Sequence, residues 1–220
     1  MNPHIYPDNH DTPPEGDQDM AARFRNQRRQ RRELGRNSLQ GTQPLEPRIL
    51  LHAEPIKVNF QQDSTIDDGR YPELSGYVAD AGAAYGNRGN GFLYGWLNGQ
   101  LNPDTQGATR NRNDNDSADE RYDTLNHFIK GDNHSWQIAL GNGFYDVHMV
   151  AGDPSFTDQI NDLDLVSGDN IVSLDDPDGP DHWDVYDVSE FEVVDGLLRI
   201  TPRDTGSNHK IAFLEITHRD

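Results

Sequence analysis

Cysteine is absent from the 220 residues. Its absence excludes disulfides, thiolate zinc sites and cysteine nucleophiles. Hydrophobic residues are scarce, at 33% against about 45–50% in ordinary globular chains. Lysine occurs only at Lys57, Lys130 and Lys210. No stretch approaches the roughly 18 consecutive apolar residues of a membrane-spanning helix. The chain also lacks a Gly-x-Ser-x-Gly elbow, a His-Glu-x-x-His pair and a phosphate-binding loop, so the catalytic classes that depend on them have no support here.

What is present is unevenly spread. Seventeen of the nineteen aromatic residues lie in 56–220; only Tyr6 and Phe24 precede them. Residues 1–19 are acidic and rich in proline, and 20–53 carry eight arginines against Glu33 and Glu46. Residues 56–220 hold a charge of −19, equal to that of the whole chain. The composition predicts a disordered tail over 1–44 and one folded domain over 56–220. Within the tail, 20–36 forms a basic segment able to make a short helix ending at Gly35; a solvated charge run is the simpler reading. Its arginines are followed by polar residues, so no ordinary Sec signal peptide is present. So acidic a domain repels phosphate backbones and anionic lipid, which argues against nucleic-acid partners and membrane insertion.

Short runs of alternating polarity recur through the domain. Ile56–Phe60 alternates and is predicted as a strand. Trp136, Ile138 and Leu140 share one face, and Tyr145, Val147, Met149 and Ala151 share another, with Gly141-Asn142-Gly143 between them as a hairpin signal. Leu163–Val166, Ile171–Leu174, Trp183–Val194, Leu197–Thr201 and Lys210–Thr217 continue the series. Strands with turns at this spacing predict an all-β fold, an antiparallel β-sandwich. The Gly- and Asn-rich span 61–124 cannot be regular throughout, yet it holds Tyr77, Tyr85, Phe92, Tyr94 and Trp96, which marks it as ordered and functional. Trp136 and Trp183 sit in strand patterns and are expected in the core. Arg121 is expected in a structural ion pair.

Two resemblances follow from particular residues. Leu45, Glu46, Pro47, Arg48, Leu50 and Leu51, within 45–55, resemble the LEPR-XLL motif of large bacterial surface or secreted proteins; this implies export to a secreted or cell-surface location and further domains of a larger protein. Val58-Asn59-Phe60, Leu93–Trp96, Glu120–Thr124, Phe144–Phe156, Asp195–Ile200 and Asn208–Ile216 resemble, in order and spacing, malectin and the malectin-like, galactose-binding-type carbohydrate-binding modules. The resemblance implies a jelly-roll sandwich over 56–220 that binds an oligo- or polysaccharide without catalysis and without a required cofactor. It places sugar-stacking aromatics at Tyr94, Tyr122 and Phe156 and a polar contact at Asn208. Ser155 stands where malectin has a further tyrosine, and Asn208 where the family often has an acid. Trp96 and Asp123 join the candidate set by adjacency; core packing and turn capping are their competing roles. The competing functions are a structural or adhesive surface module and, behind it, a polysaccharide-acting enzyme.

Asn113–Asp119 spaces Asp114, Asp116 and Asp119 like the acids of a calcium loop, without the glycine and distal glutamate of an EF-hand. A structural Ca²⁺ there competes with simple solvation of the carboxylates, as it does for the second acidic loop, Asp175–Asp181.

Overall fold

A computed structural model describes residues 54–62, 74–98, 105, 108–115, 117–128, 134–177, 179 and 181–220. The expected tail 1–44, the Leu45–Leu51 motif and Asp116 lie outside the described residues. The elements are β1 (Ile56–Phe60), β2 (Val78–Asp80), β3 (Gly86–Asn87), β4 (Leu93–Leu97), β5 (Thr109–Asn111), a helical turn α1 (Glu120–Asp123), β6 (Thr124–His127), β7 (Ser135–Ala139), β8 (Gly143–Gly152), β9 (Leu163–Ser167), β10 (Asn170–Leu174), β11 (Trp183–Val193), β12 (Leu197–Pro202), β13 (Lys210–Ile211) and β14 (Phe213–Arg219).

Two large sheets carry the fold. One has the order β11-β8-β14-β1-β2, the other β10-β9-β12-β7-β4-β3, and a small third sheet is β13-β6-β5. All pairings are antiparallel except β1 with β2, where Val58 lies opposite Val78 in a parallel register. Period-two side chains from both large sheets meet in one core. Val58 and Phe60 of β1, Val147 and Met149 of β8, and Leu214 and Ile216 of β14 pack with Trp96, Trp136, Ile138, Leu165, Leu198 and Ile200 of the other sheet. Phe60 bridges the layers edge-on, with ring centroids 6.0 Å from Trp96 and 5.4 Å from Trp136. The architecture is the predicted β-sandwich.

Gly141–Gly143 is not a hairpin. β7 pairs with β4 and β12, whereas β8 pairs with β11 and β14, so the turn arches from one sheet to the other. Val194–Gly196 makes the same crossing between β11 and β12, and the two arches are tied by Leu140 N–H to Gly196 O at 2.9 Å and Asn142 Nδ2 to Val194 O at 2.9 Å. Gly168 does lie in a true hairpin, with Asn170 opposite Ser167. The expected closing strand 210–217 is divided at Ala212: β13 pairs with β6, and β14 with β1 and β8.

A buried carboxylate, Asp80 at the end of β2, serves the two core indoles. It accepts the indole N–H of Trp136 on Oδ2 at 2.7 Å, that of Trp96 on Oδ1 at 3.1 Å, and the Gly82 amide on Oδ1 at 2.7 Å. Burial raises its pKa, and the three donors and the charge of Arg88 only partly offset this. Gly95, inside β4, lets the Ala83–Ala84 backbone approach the strand closely. Its φ is +136°, and a Cβ there would lie 2.6 Å from the Ala83 carbonyl, which receives Trp96 N–H at 3.2 Å.

Asp80→Ala is expected to cost about 3 kcal/mol or more, because three buried donors lose their acceptor at roughly 1–3 kcal/mol each. The raised folded pKa fixes the sign with pH: the group's contribution is fully present below its ordinary value of 3.8 and is lost as pH rises through the folded value. The wild-type advantage over the variant, measured by denaturant unfolding, should therefore be greatest in acid and shrink toward neutrality.

Candidate functional site

Most of the predicted site residues converge at one end of the sandwich, around the C-terminal end of β8. Asp153, which follows β8 directly, is fully buried. Arg112, which follows β5 directly, forks onto it through Nε to Oδ1 at 3.0 Å and Nη2 to Oδ2 at 2.6 Å. Lys210, the first residue of β13, places Nζ 3.3 Å from Asp153 Oδ2, 3.0 Å from Gln159 Oε1 and 3.5 Å from Asp158 Oδ1. The Ser155 amide completes the shell at 3.1 Å from Asp153 Oδ1. Burial alone would raise the Asp153 pKa, but the Arg112 fork, the Ser155 amide and the Lys210 charge outweigh it and hold the carboxyl below the ordinary range.

Phe156 lies over this ion cluster. The Arg112 guanidinium is 4.9 Å from its ring centroid and Lys210 Nζ 5.7 Å, a cation–π support that orients the ring. The residue keeps 49% exposure, as Phe144 does at 48%, but its backbone is held by Phe156 N–H to Asp153 O and by Gln159 Nε2 to Phe156 O at 3.0 Å. Asn208 joins the cluster through Asp158 and adopts a left-handed conformation, φ 54°, a region asparagine tolerates better than most residues. Its Nδ2 donates to Asp158 Oδ1 at 3.1 Å.

The loop from β5 to α1 closes one side. Asp119 caps the helical turn, accepting the Arg121 amide at 3.0 Å. Asp123 is buried and accepts the Asp114 amide at 2.9 Å and Ser117 Oγ at 2.6 Å, so it braces the turn from within. Asp114 in turn accepts Ser155 Oγ at 3.1 Å, which connects this loop to the Asp153 loop. Tyr122 packs edge-on against Trp183, 5.4 Å away, and Phe213, 5.2 Å away, on the outer face of the β8–β14 sheet. Arg121 lies over Phe213 at 4.7 Å and pairs with Asp119 at 2.7 Å and Glu215 at 3.4 Å, the expected structural ion pair. Tyr77 bonds Glu215 beneath it, and burial, followed by that bond, pushes its phenol up to about 12.

The structure therefore separates the expected residues into two groups. Phe156 and Asn208 meet at the Asp153 cluster, and Tyr122, Asp123 and Asp114 form the adjoining loop. Tyr94 and Trp96 do not belong to either. They are 2% and 0% exposed, pair opposite Ile138 and Trp136, and point into the core, which corrects the expectation that they offer faces to a sugar. Asp123 takes its competing role as a turn brace. Asp119 gives both carboxylate oxygens to Arg121, and among the described residues no group of three or more histidines, aspartates and glutamates is placed to hold a metal.

Arg112, Asp153, Asp158, Lys210 and Trp183 are members of this end that the sequence reading did not single out as site residues. Lys210 carried a usable signal: one of three lysines, it opens an otherwise apolar strand and so requires a buried partner. Trp183 is not the full core residue expected. It is half-buried, against Tyr122 and His182.

No protein-family model matches the chain, and no curated protein matches it. Among solved structures, it is similar to a calcium-binding mutant of β-glucuronidase 2 from Bacteroides uniformis, with 12% identity over 77% of this chain and a TM-score of 0.43. The chain spans 18% of the length of that protein. It is also similar to TmCBM61 in complex with β-1,4-galactotriose, with 14% identity over 57% of this chain and 84% of that one and a TM-score of 0.30. A third is an isomalto-dextranase of Arthrobacter globiformis T6 complexed with panose, with 13% identity, 56% and 22% coverage and a TM-score of 0.32.

Asp153→Asn is expected to destabilise the fold by roughly 3–5 kcal/mol, since it removes the buried partner of the Arg112 fork and leaves the Lys210 ammonium with only the solvent-exposed Asp158 as counter-charge. Because the folded pKa of Asp153 is depressed, its contribution is present above the ordinary carboxyl range and lost as pH falls through the folded value. Unfolding free energies measured from neutral pH down to pH 2 should thus fall less steeply in the variant.

Proposed function

We propose that this chain is a non-catalytic carbohydrate-binding module of a secreted or cell-surface bacterial protein. One observation carries the reading: Phe156 is a half-exposed aromatic ring supported by two cations, one of which, Lys210, also holds the Asp158 carboxylate that accepts from the Asn208 amide. A supported ring of this kind stacks on the apolar C–H face of a pyranose, while neighbouring carboxylate and amide groups take its hydroxyls. The ordered motifs that resemble malectin-like modules support the same reading, as does the meeting of two of their four implied contacts, Phe156 and Asn208, in one place.

The absence of catalysis is part of the proposal. Asp80, whose proton affinity burial raises, has the character of a general acid, but it is sealed beneath Trp96 and Trp136, out of reach of a polysaccharide. A shallow loop site buries little of a well-hydrated sugar, so the affinity is modest and repeated modules supply avidity.

The test is a glycan array with the full chain, run with Ca²⁺ and again with chelator. Phe156→Ala should weaken the best ligand about tenfold, near 1.4 kcal/mol, while the thermal unfolding midpoint stays close to wild type. Loss of binding with chelator would add a metal to the site. A folded protein that binds no glycan would replace this reading with that of a structural or adhesive module, and release of reducing ends or unsaturated sugars would replace it with an enzyme.

A further inference from the structure

We propose that the Phe156 site selects against acidic sugars, with Asp158 as the residue that sets this preference; the inference rests on the carbohydrate-binding reading above. Two cations beneath an exposed ring would ordinarily mark a site for a carboxylate or sulfate. Here both are already engaged. Arg112 spends its fork on Asp153. The Lys210 side chain is 2% exposed and is enclosed by Asp153, Asp158 and Gln159. An incoming anion cannot reach the ammonium without displacing a carboxylate that holds it.

The group that does face solvent is Asp158, whose side chain is 68% exposed. Only its Oδ1 side is drawn inward, toward Asn208 Nδ2 at 3.1 Å and Lys210 Nζ at 3.5 Å. Lys210 Nζ lies 5.7 Å from the Phe156 ring centroid and 3.5 Å from Asp158 Oδ1, so this carboxylate is within reach of a sugar stacked on the ring. A hydroxyl donates to it. A uronate or sulfate is repelled by it, and at a few ångströms two like charges near a protein surface weaken association by roughly tenfold or more. The Asp114 carboxylate on the adjoining loop, which accepts Ser155 Oγ, adds charge of the same sign.

The experiment compares matched oligosaccharides on the full chain: galactan with oligogalacturonate, mannan with oligomannuronate, and dextran with dextran sulfate. Binding is measured at ionic strengths of about 10 mM and 1 M, between which the screening length falls from about 30 Å to about 3 Å. The neutral member of a pair should bind at least tenfold more tightly at low salt, and the gap should narrow at high salt. Asp158→Asn retains an acceptor for Asn208 and Lys210 and should narrow the low-salt ratio fivefold or more.

Glu192→Gln removes one charge opposite Phe144, at the other end of β8 and on the order of 25 Å away at about 3.3 Å per residue. It should change the ratio less than twofold. Equal narrowing in both variants would overturn the role of Asp158 in favour of the field of the whole domain. Tighter binding of an acidic member at low salt would overturn the inference while leaving carbohydrate binding in place. No binding of either class by folded protein would overturn both.

Discussion

The buried carboxylate of Asp153 is the point on which the loop end depends. It lies at the end of a long central strand and fixes two cations from distant parts of the chain, Arg112 after β5 and Lys210 at β13. Each loop bearing a candidate binding residue is joined to it directly or through two neighbours: Phe156 through the backbone, Asn208 through Asp158 and Lys210, and the α1 loop through Ser155 and Asp114. A set of irregular segments is thereby anchored to one buried charge. The two cations serve the fold first. Their second effect is to hold the ring of Phe156 in place, which a surface phenylalanine cannot secure by packing alone.

Strands and facing were legible in the sequence where a period-two pattern was intact. Trp136, Ile138 and Leu140, and Tyr145, Val147 and Met149, lie inward as the alternation required. Which sheet a strand joins was not legible. Gly141–Gly143 has the local chemistry of a hairpin, but whether β8 turns back on β7 or crosses to the other layer is decided by pairing with β11 and β14, strands that come much later in the chain. The parallel contact of β1 with β2 is invisible for the same reason.

The site was legible in part. Phe156 and Asn208, named from their motifs, lie at the same loop end, and Arg121 takes the partners that a cation in an acidic domain is expected to acquire. Tyr94 and Trp96 were misplaced because an aromatic pair separated by one residue fits a core face and a binding face equally well. Here the core face won: Asp80 offers the indole N–H of Trp96 an acceptor inside the protein, and the Tyr94 hydroxyl reaches the Ala79 carbonyl at 3.1 Å. That acceptor comes from a different strand, so no local pattern announces it. The same holds for Arg112 and Lys210, whose roles appear only when Asp153 lies between them.

The distribution of the three tryptophans divides what light can report about this molecule. Trp96 and Trp136 share a single carboxylate in the dry interior, so their emission follows the integrity of the sandwich and the ionisation of Asp80. Trp183 lies half-buried at the loop end, one residue from His182, whose ring contacts the Asp153 carbonyl at 3.2 Å. A single protein spectrum thus contains an internal reference and a local probe, because Trp183 is half-buried while Trp96 and Trp136 are fully buried.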